Sequence, residues 1–183
     1  MRRFAPFLFV VALFCVALGR DAFDDWIADT GLPSLLPETS VEVRDRDGVL
    51  LRAYTVEDGR WRLGVTPDQV DQRFLDMLIA YEDKRFYTHS GVDLLAVARA
   101  VKQALTGGKA VSGAPTLTMQ VARLLEKSGT GAWGGKLRQL RVALRLEQVL
   151  SKAEILSLYL ALAPYGGNIE GVRAASLSYF GKE

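Results

Sequence analysis

The stretch AYEDKRFYTHSG, residues 80–91, joins an apolar, helix-like segment to the chemically most varied part of the chain. Leu75, Ile79, Glu82 and Phe86 follow one another at offsets of four, three and four, which is helical spacing. Glu82 therefore interrupts an apolar stripe, and a carboxylate in apolar surroundings suits general acid or base work. Spacing alone nevertheless favours a simpler interpretation, a helix end whose charges are solvated.

Two further polar side chains of this stretch need separate interpretation. Asp83 follows Glu82 directly, so on a helix it points about 100° away from Glu82 and is not an automatic partner. His89 is the one histidine of the chain, and a lone histidine is more often a structural hydrogen-bonding group than a catalyst.

Composition restricts the possible functions more than it selects one. The chain has 183 residues, of which 49% are hydrophobic, enough for one domain with a real core. One cysteine excludes an intrachain disulfide, and one histidine cannot build a histidine-rich metal site. Positive charge is densest in residues 136–145, but aromatic residues are not interleaved with it, so no nucleic-acid partner is expected.

The N-terminus carries a targeting pattern. MRR precedes a run without charged residues, FAPFLFVVALFCVALG, which resembles either a cleaved secretory signal or a signal anchor. No small-residue cleavage site is evident before RDAFDD, so residues 1–20 are predicted to form an uncleaved transmembrane anchor. The positive-inside rule places MRR in the cytoplasm and the rest of the chain outside.

The remaining sequence divides into a linker region and a helical region. Residues 21–65 are predicted to be a linker and a small β element of two or three strands, because residues 41–65 alternate around the turn signals RDRDG and VEDGR. Residues 66–183 form the main domain. Its first helix is predicted from Pro67 to about Phe86, with Thr66 as the N-cap and Gln69 completing the capping box.

Five further helices are predicted in the main domain, so the fold class is mainly α. The one beginning after Ser151 carries a second capping box, in which Ser151 pairs with Glu154. The predicted segments are 92–105, 115–126, 136–150, 152–162 and 169–181. The first of these is apolar with few charges and could be core or could rest in a membrane interface.

Two segments could bind an anion. The loop GGKAVSGAPTLTMQ, residues 107–120, places glycines and hydroxyls before a helix start, although the absence of a Walker pattern favours an ordinary flexible loop. Arg138, Arg141 and Arg145 share one helix face that could hold a diphosphate through guanidinium forks. A solvated basic face is the alternative interpretation.

Taken in order, these segments resemble the family 51 glycosyltransferases, the peptidoglycan polymerases of class A penicillin-binding proteins and monofunctional transglycosylases. EDKRFYTHSG resembles the signature E-D-x-x-F-x-x-H-x-G, and SGAPTLTMQVARLL resembles the second signature. GKLRQ lies where the third is expected, while ILSLYLALAPYGG and EGVRAASLSYFGK resemble the fourth and fifth. The resemblance runs from about residue 41 to the last residue and is greatest to the 1C type of these proteins. Several ordered motifs make a chance match very rare.

The resemblance implies a lysozyme-like helical domain and a processive glycosyl transfer from a lipid-diphosphate sugar. Glu82 matches the catalytic base, which would deprotonate the 4-hydroxyl of lipid II for attack on the growing glycan, with inversion and loss of undecaprenyl diphosphate. Asp83 and His89 would support the geometry of Glu82. The substrate-binding set implied by the family comprises Asp83, His89, Thr116, Gln120, Arg123 and Lys136.

The resemblance also implies the setting of the reaction. A divalent cation, Mg²⁺ or Mn²⁺, would assist at the substrate diphosphate, and no organic cofactor is expected. The partners would be lipid II, the growing glycan strand, the cytoplasmic membrane and cell-wall synthesis proteins. The chain would reside in the bacterial inner membrane as a single-pass protein with its catalytic domain on the periplasmic side.

Three departures from the family pattern leave alternatives open. The third signature usually reads R-K-x-x-E, whereas this chain has Gly135 and Gln139 at its ends, so Glu147 is a weak candidate for the missing carboxylate. Pro115 stands where the second signature has serine. The family's domain continues beyond the position of Glu183, which implies a piece of a longer protein. A non-catalytic lipid II-binding or scaffold module and a lysozyme-like hydrolase are the alternatives.

Overall fold

The computed structural model describes residues 5–106, 115–126 and 133–183, and the chain divides into two units that meet after Gly31. The first unit is dominated by helix α1 (Ala5–Ala28). This helix continues eight residues into the stretch predicted to be a linker. The segment after Arg20 contains no proline or glycine before Ala28, and Arg20 pairs with Asp24 one turn later at 3.6 Å.

The predicted transmembrane anchor is not confirmed. Its first four residues lie outside the described ranges. Within those ranges, no helix combines the length and the apolar character that crossing a bilayer requires.

The second unit begins with a β-hairpin, as residues 41–65 predict. Strands β1 (Glu42–Arg44) and β2 (Leu50–Ala53) pair antiparallel around a turn in which Asp45 Oδ1 accepts hydrogen bonds from the backbone N–H groups of Asp47 and Val49. Gly48 adopts a φ of 83° in this turn, a conformation that favours glycine.

The third strand belongs to a different sheet, so the predicted element of two or three strands is two-stranded. Strand β3 (Trp61–Arg62) pairs in parallel with β5 (Ile169–Glu170), and β5 pairs antiparallel with β4 (Pro164–Gly166). The buried Arg62 guanidinium donates to the Glu170 carboxylate across this sheet. Residues 61–62 are thus held against a segment over one hundred positions later.

In the described part of the chain, six α-helices build the rest of the unit, which is mainly helical as predicted. Most of their bounds agree with the predicted helix segments to within a few residues. The predicted likeness of the domain to lysozyme stays a prediction. They are α2 (Gln72–Glu82), α3 (Leu94–Leu105), α4 (Leu117–Glu126), α5 (Trp133–Val149), α6 (Lys152–Leu162) and α7 (Val172–Phe180). The last was predicted from residue 169, but Ile169 and Glu170 form strand β5 instead.

The helix predicted from Pro67 to Phe86 is wrong as one continuous element. A 3₁₀ turn (Pro67–Gln69) precedes α2, and another (Phe86–Thr88) follows it. Asp71 starts α2 by accepting a hydrogen bond from Arg73 N, and Asp83 ends it with an extended φ of −157°. The chain therefore leaves the helix immediately after Glu82.

The core lies where α4, α5 and α6 meet. Leu117 and Val121 of α4, Leu146 of α5, and Ile155 and Leu160 of α6 are fully buried. Each such side chain contributes roughly 1.5–3 kcal/mol by leaving water. Phe86, also fully buried, packs the turn after α2 into the same cluster, so the core fixes the backbone next to Glu82. The predicted loops, residues 106–114 and 127–135, lie mostly outside the described residues, and residues 133–135 of the second belong to α5 instead.

Candidate active site

Glu82 is the last residue of α2, and its side chain is half-buried. Leu75 is buried and Ile79 half-buried on the same stripe, and the apolar surroundings of Glu82 stay a prediction. Its Oε2 accepts a hydrogen bond of 2.9 Å from Gln120 Nε2 on α4. In the described part of the chain no protein group donates to Oε1, so one oxygen is fixed and the other remains available for a proton.

Two tyrosines near Glu82 were not singled out from the sequence. The pKa of Tyr159 is raised to about 12, chiefly by burial and next by the negative charge of Glu82, while Arg123 opposes the shift. Burial and Glu82 likewise raise the pKa of Tyr165. Both phenols therefore stay protonated at neutral pH and can act only as neutral hydrogen-bonding groups. Tyr159 lies on α6 within ILSLYLALAPYGG, where its helical spacing could have indicated an inward-facing side chain.

Asp83 turns away from Glu82 into the protein, where it is 7% exposed. Its carboxylate binds His89 Nε2 at 2.9 Å and accepts a 2.9 Å hydrogen bond from Leu117 N. Leu117 is the first residue of α4, so Asp83 satisfies one of the unpaired N–H groups at a helix start. The expectation that Asp83 and His89 support the geometry of Glu82 stays a prediction.

Thr116 is also buried, and its hydroxyl holds two segments together. It donates to Gly91 O at 2.6 Å and accepts from Met119 N at 3.1 Å, so it caps α4. Gly91 has a φ of 87°, and a Cβ at this position would lie 3.0 Å from Ala143 O. The glycine that ends AYEDKRFYTHSG is thus required by both backbone conformation and space.

The cationic side chains predicted at the substrate diphosphate are exposed. Arg123 is on α4, one turn after Gln120, and Lys136 is near the start of α5. The basic face predicted on α5 is partly engaged elsewhere: Arg138 donates to Glu126 at 2.7 Å, and Arg145 donates to Gln148 at 3.0 Å.

The position of the expected second carboxylate is buried. Gln139 is 6% exposed, and no group among the described residues forms a hydrogen bond with its Nε2. Glu147, the candidate substitute, accepts a hydrogen bond from Thr118 Oγ1 and another from Lys152 Nζ, both at 2.6 Å. Those contacts assign Glu147 to the packing of α4, α5 and α6, so the hypothesis that it replaces the missing carboxylate is not supported.

The described residues offer no protein cage for a metal ion. Across residues 5–106, 115–126 and 133–183, no group of three histidine, cysteine, aspartate or glutamate side chains could hold one. A divalent cation carried by the substrate diphosphate stays a prediction.

Comparison with known proteins agrees with the resemblance read from the motifs. The family model described as Transglycosylase matches residues 47–183. Penicillin-binding protein 1C of Escherichia coli (strain K12) is 49% identical over 86% of this chain and 20% of its own length. Penicillin-binding protein 1A of the same organism is 34% identical over 98% of this chain and 22% of its own length.

A relative from another organism indicates the same family. Penicillin-binding protein 1F of Bacillus subtilis (strain 168) is 32% identical over 81% of this chain and 20% of its own length. The chain thus spans about a fifth of the length of the curated relatives it matches. The family match covers well over half of the chain and includes every residue of the site described above. The chain therefore belongs to the transglycosylase family of peptidoglycan glycosyltransferases.

Proposed function

We propose that the chain polymerises lipid II into glycan strands, releases undecaprenyl diphosphate, and uses Glu82 as the general base. One observation carries the proposal: Glu82 ends a helix in half-buried surroundings, and Gln120 fixes one of its oxygens. A general base must be oriented and must keep a lone pair for the proton that it accepts. The arrangement of Oε1 and Oε2 meets both requirements.

In the proposed reaction, Glu82 Oε1 takes the proton of the 4-hydroxyl of one lipid II molecule. The resulting oxygen attacks the anomeric carbon of the growing glycan, the bond to the undecaprenyl diphosphate breaks, and the configuration inverts. Gln120 is a neutral donor, so it orients the Glu82 carboxylate without supplying a competing positive charge. Orientation of this kind lowers the barrier because the reacting groups need no further ordering.

The leaving diphosphate needs positive charge, and Arg123 and Lys136 are the proposed sources. Arg123 is exposed and close enough to the site that its charge acts on Tyr159, as the charge of Glu82 does. A guanidinium can bind two phosphate oxygens at once, whereas a lysine supplies a point charge. A divalent cation would add to this stabilisation, and every step above proceeds through the chain's own residues.

We assign Asp83, His89 and Thr116 to positioning. All three side chains make protein hydrogen bonds that tie the segment after Glu82 to the start of α4. Their burial supports this assignment over direct contact with the sugar.

The proposed site faces a membrane-bound substrate. Leu94, Leu95 and Val97 of α3 are exposed large apolar side chains, as expected of a helix that rests in a membrane interface. We propose that α3 contacts the periplasmic surface of the cytoplasmic membrane and that residues 1–20 anchor the chain there. Lipid II, the glycan strand and other cell-wall synthesis proteins are the proposed partners.

A lipid II-binding module without catalysis is the alternative, and Gln139 favours it. A neutral, buried amide stands where the family has a second carboxylate, and an amide cannot take up a proton. A hydrolase is less well supported, because Asp83 and Glu147, the carboxylates considered as partners of Glu82, are both bound within the protein.

Lipid II binding and polymer formation, measured on one preparation, separate the two functions. The enzyme predicts that wild-type chain forms polymer and that Glu82→Gln binds lipid II without forming it. The binding module predicts retained binding and no polymer from either protein.

A further inference from the structure

The ammonium group of Lys152 contacts AYEDKRFYTHSG, the segment that contains Glu82. Lys152 is the first residue of α6, and its Nζ donates to His89 O at 2.7 Å and to Glu147 Oε1 at 2.6 Å. The same Nζ lies 4.6 Å from the centre of the Phe86 ring, a favourable cation–π distance. One cation therefore contacts two residues of AYEDKRFYTHSG and the end of α5.

Glu147 completes the link to α4. Its side chain is 8% exposed, and the hydroxyl of the fully buried Thr118 donates to the oxygen that also accepts from Lys152. One hydrogen-bonded network thus connects α6, α5 and α4 through Lys152, Glu147 and Thr118.

This network is linked to the Glu82 region through His89. Asp83 holds the imidazole ring of His89, and Lys152 holds its backbone carbonyl. Asp83 also binds the start of α4, the helix whose Gln120 fixes the carboxylate of Glu82. Both sides of the Glu82–Gln120 contact therefore depend on one set of buried polar bonds.

We propose that Lys152 is a positioning residue for the transfer reaction: its ammonium, balanced by Glu147, fixes the turn between Phe86 and His89 and thereby the direction of the Glu82 carboxylate. The inference rests on the proposed role of Glu82 as the base. Lys152 itself touches no reacting atom, so its loss affects the rate through geometry.

Three variants of the 183-residue chain test this proposal. Lys152→Met removes the charge and keeps most of the side-chain volume, but it leaves Glu147 buried without its cation. Lys152→Met with Glu147→Gln removes both charges, and the new amide oxygen can still accept from Thr118. Arg173→Met is the matched control, because Arg173 is also a partly buried cation that pairs with a glutamate, Glu42, outside this network.

The measurements are the unfolding free energy, kcat and KM for lipid II, and the imidazole NMR signal. The chain has one histidine, so that signal reports His89 without ambiguity. We expect the imidazole signal to move in both Lys152 variants and to stay unchanged in Arg173→Met. In both Lys152 variants we expect kcat to fall about 10- to 100-fold, with little change in KM for lipid II. The double variant should recover stability relative to the single one without recovering kcat.

A purely structural role gives a different pattern. If kcat recovers together with stability in the double variant, or if the His89 signal and kcat both match the wild type, the proposal is wrong. Glu82→Gln in the same assay separates the two claims. If that variant polymerises lipid II normally, the assignment of the base fails, whereas the His89 signal still reports whether Lys152 orders the turn.

Discussion

Gln120 Nε2 donates to Glu82 Oε2 across 2.9 Å and joins the last residue of α2 to the middle of α4. The two residues are 38 positions apart in the sequence. The contact leaves Glu82 one oxygen for chemistry and sets the direction in which that oxygen points.

Replacing Gln120 by leucine should therefore slow the reaction. Gln120→Leu keeps a similar volume but removes the donor, so Glu82 loses its fixed rotamer and kcat should fall about 10-fold or more. The rate of glycan formation from lipid II measures the effect. Gln72→Leu is the control, because Gln72 is exposed on α2 and its side chain donates to Asp76 and not to Glu82. A wild-type rate for Gln120→Leu would show that this hydrogen bond does not orient the base.

Asp83 should contribute more to the unfolding free energy than an exposed aspartate on α2 does. Asp83→Asn gives up one of the acceptor oxygens that hold His89 and Leu117 N, and it places an amide next to a buried donor. The unfolding free energy should fall by about 2 kcal/mol in a denaturant titration. Asp76→Asn, on the exposed side of α2, should change it by less than about 0.5 kcal/mol. Equal effects from both variants would contradict the structural role of Asp83.

Acid should weaken the attachment of the β-hairpin to α7. Arg173 donates two hydrogen bonds to Glu42 and, with a smaller contribution from Arg44, lowers the pKa of Glu42 from 4.5 to about 2. A carboxylate whose pKa is depressed in the folded state stabilises the protein above the unfolded pKa. The Glu42 contribution should therefore be complete above about pH 4.5 and should disappear as the pH falls towards 2.

Arg173→Met tests this dependence. Unfolding free energies at pH 7 and pH 3 should differ less in this variant than in the wild type, because the largest cause of the lowered Glu42 pKa is removed while Arg44 remains. Arg46→Met serves as the control, since the Arg46 side chain is 93% exposed. An unchanged pH dependence in Arg173→Met would contradict the assigned cause of the pKa shift.

The proposed membrane contact of α3 can be tested by substituting one of its exposed leucines and an equally exposed leucine elsewhere. Leu95 on α3 and Leu51 on β2 are both 64% exposed. Lipid vesicles should slow hydrogen exchange across residues 94–105 in the wild type and in Leu51→Asp. Leu95→Asp should lose this protection, because a charge in the apolar layer opposes insertion. Exchange across residues 94–105 that vesicles leave unchanged in the wild type would show that α3 does not rest in the membrane.

Most helices could be predicted from the sequence because their signals are local. Ser151 and Glu154 mark the start of α6 as a capping box, and the structure contains both hydrogen bonds. Glu82 could be placed in an apolar stripe for the same reason, since helical spacing is a property of neighbouring residues.

Other features depend on residues far apart and could not be predicted. Strand β3 pairs with β5 across more than one hundred positions, and no local pattern specifies that partner. The break of the first predicted helix depends on Asp83 turning inward to meet His89 and Leu117. Gln120 could be selected only by its match to a family motif, because its contact with Glu82 exists only once α4 has packed against α2.

The rate of glycan formation by Glu82→Gln tests the central claim most directly. Glutamine is nearly isosteric with glutamate but cannot accept the proton, so the chemical step should slow by about 100- to 10,000-fold while lipid II still binds. Glu57→Gln, at an exposed position, should match the wild type in both respects. Polymerisation by Glu82→Gln at the wild-type rate would contradict the assignment of Glu82 as the base.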